Sequence, residues 1–156
     1  MMKPVRYLLT VLLLSLSVSP EQVTASDLIM VRTQEDFPEA MLTLQTSIRE
    51  HGYAITRVQR IDIGLTGMGY ETDKYRIVFV GKPKEIRYLV DKYPVLAAYM
   101  PPQVSVFAEE GDTVLITANP MIYADMIDDE ADKILFRRWE SDVYSVFDDI
   151  RKAQEE

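Results

Sequence analysis

Two runs rich in β-branched residues, Val104 to Ala108 and Thr113 to Ala118, are separated only by Glu109-Glu110-Gly111-Asp112. A connection that short cannot make the crossover parallel strands need. The runs therefore form an antiparallel hairpin with Gly111 at its turn, and the rest of the fold is built onto that pair. Tyr75 to Gly81 (YRIVFVG) is an almost continuous apolar run bounded by glycine, the mark of a central strand. Leu28 to Arg32 (LIMVR) is a first strand. Tyr53 to Ile63 is a second, and its alternation falters at Arg57 and Gln59, which predicts a β-bulge.

Between the first two strands, Phe37, Met41, Leu44 and Ile48 recur at helical spacing with Ala40 beside them. Thr33 reads as the N-cap of this helix, Glu35 and Asp36 as its first-turn acids, and Gly52 as a left-handed residue closing its end. His51, the one histidine of the chain, then falls in the last helical turn. A capping role there fits it better than catalysis or haem ligation. The segment KPKEIRYLVDKYP gives a second helix with Ile86, Leu89, Val90 and Tyr93 on one face, and Pro94 ends or kinks it. Asn119-Pro120 breaks the sheet. From about Asp129 to residue 153 a long helix buries Leu135, Trp139, Val143, Val146, Phe147 and Ile150. Gly64 to Lys74 reads as a glycine-bearing connection that matches no nucleotide fingerprint. The order is β-α-β-β-α-β-β-α, an α+β fold with a mostly antiparallel sheet and its helices packed on one face.

The amino terminus has a different character. Lys3 and Arg6, the apolar stretch Tyr7 to Val18, and Val23-Thr24-Ala25 have the form of a signal peptide, and the apolar stretch is too short to span a bilayer. Residues 1–25 are expected to be removed on export to a periplasm or the cell exterior, leaving 26–156 as one domain with no membrane contact. Zero cysteine excludes a lipoprotein, thiol catalysis, iron–sulfur clusters, thiolate zinc and covalent c-type haem. A net charge of −8 makes nucleic acid a poor partner.

Three residue clusters invite chemistry. Asp125 to Asp132 packs five acids into eight residues, but it lacks the glycine and spacing of a calcium loop and fits the start of the last helix. Positive charge collects mid-chain. If Arg57, Arg60, Arg76, Lys82 and Lys84 converge, they would make an anion pocket between the helices and the sheet. Tyr88 and Tyr93 lie at helical spacing with core residues and read as packing.

The order of short motifs also carries a resemblance. Gly52-Tyr53, Gly81-Lys82-Pro83, Met100-Pro101, the acidic hairpin VSVFAEEG and Asn119-Pro120 follow one another as in domain-of-unknown-function family 302, over Leu28 to about Pro120. The terminal helix, about 129–153, is compatible with it. Lys82 departs from the usual Asn, and the connection after the second strand departs from the helical linker many members have. The resemblance implies a small α+β fold and a dimeric binding or accessory domain, with no reaction attached. The resulting expectation is an exported, non-catalytic homodimer without a cofactor, binding a small ligand (anionic in one version) or a protein partner. Edge strands in a small open sheet point to the same dimer. The alternative is a small enzyme acting on an organic acid or oxyanion through Arg, Lys, Tyr and carboxylate groups.

Overall fold

The computed structural model describes residues 27–154, so the expected signal peptide lies outside the described residues. Among these, five antiparallel strands form one sheet in the order β1-β5-β4-β3-β2. They are β1 Leu28–Thr33, β2 Ala54–Arg60, β3 Tyr75–Gly81, β4 Gln103–Glu109 and β5 Asp112–Ala118. The helices are α1 Phe37–Glu50, α2 Ile61–Gly67, α3 Pro83–Lys92, α4 Met121–Ala124 and α5 Glu130–Ala153, with a 3-10 turn at Pro94–Ala98. The predicted α+β architecture is the observed one.

Strand register decides which side chains face the helices. Val31 pairs with Leu115, Val106 with Leu115, and Val78 with Val104, so these point to one face together. There they meet Leu44 and Ile48 of α1 and Val146, Phe147 and Ile150 of α5 in the main core. A second apolar cluster, Leu89, Leu96, Tyr123, Ile127, Phe136 and Trp139, lies where α3, the 3-10 turn and α4 meet the first half of α5. α5 therefore belongs to both.

Local chemistry accounts for the boundaries, including three that differ from expectation. Asp36, not Thr33, caps α1 by accepting from the Glu39 N–H at 3.0 Å; Pro38 occupies the first turn, where its missing N–H costs nothing. Thr33 instead ends β1, its hydroxyl accepting from the Glu35 N–H at 3.1 Å. The bulge in β2 falls between Ile55 and Arg57, as the broken alternation predicts. The strand stops at Arg60, however, and Ile61–Gly67 is the helix α2 rather than the end of a strand and a loop. The connection after β2 is thus helical over its first part. The glycines of α2 and its lack of any buried residue hid it from a periodicity argument. The long helix begins after Asp129, which accepts from the Ala131 N–H at 2.9 Å. Its buried stripe includes Phe136, one position beyond the expected Leu135.

Two glycines are required by geometry. Gly52 has φ +76, the left-handed closure of α1, and a Cβ on Gly81 would collide with the Ile86 side chain of α3. His51 sits at the C-cap of α1, and its Nε2 lies 3.1 Å from Asp149 Oδ2 of α5. Ser47 donates to the same carboxylate oxygen at 2.6 Å. The histidine is a helix end, tied to the neighbouring helix.

Candidate functional site

The five basic residues proposed for an anion pocket are distributed by the register. Arg57 pairs with Phe79 and so points to the helix-free face, whereas Arg60 and Arg76 are partners on the helix-covered face. The Arg76 guanidinium is ion-paired with Asp62, lies 5.6 Å from the centre of the Phe37 ring and donates to the Tyr75 carbonyl at 2.9 Å. That pairing holds the Asp62 carboxyl below its usual range. Lys82 and Lys84 lie past the opposite end of β3, roughly 20 Å from Arg76 at about 3.3 Å per residue. The five do not surround one point. Arg60 and Arg76 are neighbours at one end, and Lys82 and Lys84 at the other line a shallow depression of about 450 Å³ with Gly52, Ala54 and Glu85.

Lys82 is already engaged there. Its Nζ stands 4.4 Å over the Tyr53 ring and 3.8 Å from Asp142 Oδ2, which also accepts from the Tyr53 hydroxyl at 2.6 Å. Burial and the Asp142 bond push the Tyr53 phenol far above its ordinary range. Glu85 accepts from Trp139 Nε1 at 2.8 Å and is ion-paired with Arg138. At the far end of α3, Asp132 accepts from Tyr93 at 2.7 Å, from Tyr88 at 3.0 Å and from Lys92 at 2.7 Å. Lys92 and Tyr93 hold that carboxyl low. The acidic cluster thus caps and pins the last helix, and Tyr88 and Tyr93 are its donors; Tyr93 also packs against the second apolar cluster, whereas Tyr88, expected to pack, is 45% exposed.

The feature that remains is the helix-free face. Residues paired on it include Leu28 with Ala118, Met30 with Ile116, and Phe79 with Gln103. Met30 is 57% exposed and Leu28 44%. At one end of this face the segment after the 3-10 turn and helix α4 rise above the strands, and between them lies an open concavity of about 440 Å³. Leu28, Phe79 and Ile116 form its floor, with Tyr99, Met100 and Tyr123 on its walls. The Tyr99 and Tyr123 rings are 6.0 Å apart, tilted by 46°. Burial, then Tyr99, pushes the Tyr123 phenol up.

Sequence reasoning did not single out Tyr99 and Tyr123, which lie in a turn and a four-residue helix too short to show a period. One signal was available. β3 is apolar at nearly every position and β5 has Val114, Leu115 and Ile116 in succession, whereas a strand with one face in water alternates.

A family model described as domain of unknown function DUF302 matches residues 29–150. Among solved structures, the uncharacterized conserved protein DUF302 from Bacillus stearothermophilus is similar to this chain with a TM-score of 0.70. The sequence identity is 18%, over 79% of this chain and 97% of that one, a likeness that shows the fold. No curated protein matches.

Proposed function

Because the chain belongs to the DUF302 family, whose description assigns no reaction, we propose from the geometry that it is an exported, non-catalytic binding domain that works as a homodimer. The observation that carries this reading is the helix-free sheet face, which leaves Leu28 and Met30 exposed and ends in the concavity.

The titrating groups support a binding role. Asp62, Asp129, Asp132 and Asp149 are held low, while Tyr53, Tyr93 and Tyr123 are held high. A general acid or base works best with its pKa moved toward neutrality. These shifts all run the other way.

The dimer reading is supported by the sheet edges. The Asn119 N–H donates to the Asp27 carbonyl at 2.8 Å, which sets the phase of the β1–β5 ladder. Leu28, Met30 and Arg32 therefore point their backbone N–H and C=O groups away from the sheet. No described strand pairs with that edge. It has neither bulge nor proline, whereas the opposite edge, β2, is bulged and carries Arg57 and Arg60. One competent edge per molecule closes as a pair rather than a fibre. A second ligand reading, an anion at Lys82 and Lys84, is favoured by their shared depression.

Native mass spectrometry of protein recovered from the exported fraction tests the proposal. The expected species is a dimer lacking residues 1–25, with extra mass that leaves on denaturation. A bare monomer retaining all 156 residues would overturn it.

A further inference from the structure

Tyr123 is 6% exposed, yet its hydroxyl donates to none of the described residues and is not fully enclosed. Tyr123 lines the concavity, where its ring stands 6.0 Å from that of Tyr99. With no described residue to bond, this hydroxyl is free to donate to an acceptor that a ligand brings in, in place of water. The acceptor's charge can be read from the walls. No Asp, Glu, Lys, Arg or His is among the residues lining the concavity. An ion entering it would lose hydration without gaining a countercharge. The volume suits a small molecule, and the lining is apolar apart from Tyr99, Tyr123, Gln103 and Thr117. Thr117 already donates to the Gln103 carbonyl at 2.7 Å, which leaves the tyrosines and the Gln103 amide to make polar contacts.

We infer that the concavity takes a small neutral molecule, apolar over most of its surface, whose carbonyl oxygen accepts a hydrogen bond from Tyr123. Tyr99 lies beside it and covers the ligand from the open side. A phenol is protonated at neutral pH, and burial raises Tyr123 further, so it stands as a donor. The inference rests on the reading of the helix-free face as the working surface, and names what that surface holds.

The test is a ligand-observed NMR titration of the full chain with three molecules of one shape: acetophenone, benzoate and styrene. Acetophenone is expected to saturate and benzoate to bind at least about ten-fold more weakly. Tyr123→Phe should weaken acetophenone about three- to ten-fold and leave styrene unchanged. Ile116→Trp, which fills the floor, should abolish both, with circular dichroism confirming that each variant is folded. Saturable binding of styrene and acetophenone that ignores the loss of the Tyr123 hydroxyl, or benzoate binding as tight as acetophenone, overturns the carbonyl assignment alone. No saturable binding of any of the three overturns the assignment and the surface reading together.

Discussion

At the scale of single residues, Tyr53, Asp142 and Asp132 are polar groups that fasten the helices. Tyr53 and Asp142 tie the start of β2 to α5 through a 2.6 Å bond to a charged acceptor. Tyr53→Phe removes that bond and leaves Asp142 with Lys82 at 3.8 Å, so it is expected to cost about 1.5–3 kcal/mol of folding free energy, measured by urea denaturation. Asp132 is the corresponding knot at the other end of α3. Its pKa in the folded chain is depressed, chiefly by Lys92 and Tyr93. The stability it contributes is therefore complete above the unfolded-state value near ~4 and is lost as pH falls through the lower folded value. Thermal melts between neutral pH and pH 2 should show Tm falling below about pH 4. Asp132→Asn should melt lower at neutral pH and respond less to acid. A variant whose acid limb matches the unmodified protein would remove Asp132 from that account.

At the scale of elements, the two edge strands differ in kind. If β1 meets its copy through the outward backbone groups of Leu28, Met30 and Arg32, a two-fold axis at the strand centre places Met30 opposite Met30 of the partner subunit. The Cα atoms of such a pair are about 5.5 Å apart, within disulfide range. The chain has no cysteine, so Met30→Cys introduces a single thiol. Mild oxidation of Met30→Cys should give a covalent dimer on non-reducing gels, and Thr56→Cys, at the β2 bulge, should not. Equal crosslinking of the two would place the contact elsewhere.

The same scale shows what was legible beforehand. The hairpin, the central strand and the stripes of α1 and α5 were readable because one buried face imposes a regular period on the residues. The bulge was readable because Arg57 and Gln59 break that period. α2 was not, since a helix that buries nothing has no stripe. The anion pocket failed as a single site for a related reason: composition places Arg57, Arg60, Arg76, Lys82 and Lys84 near one another in sequence, but only register says that Arg57 and Arg76 face opposite ways. Tyr99 and Tyr123 lie 24 positions apart in the chain and meet only through the fold.

At the scale of the whole molecule, the two apolar clusters are coupled through α5, whose first half holds Phe136 and Trp139 and whose second half holds Val146, Phe147 and Ile150. The sheet and the α3 region therefore share one long element. Trp139 is the chain's one tryptophan; it is 3% exposed, edge-on to Phe136 at 5.5 Å, and its indole N–H is held by Glu85. The molecule consequently carries its own optical probe, placed in the α3–α5 cluster. Its emission reads the docking of α3 directly and the sheet only through α5, so a label-free comparison of fluorescence with far-ultraviolet dichroism can follow the two clusters separately.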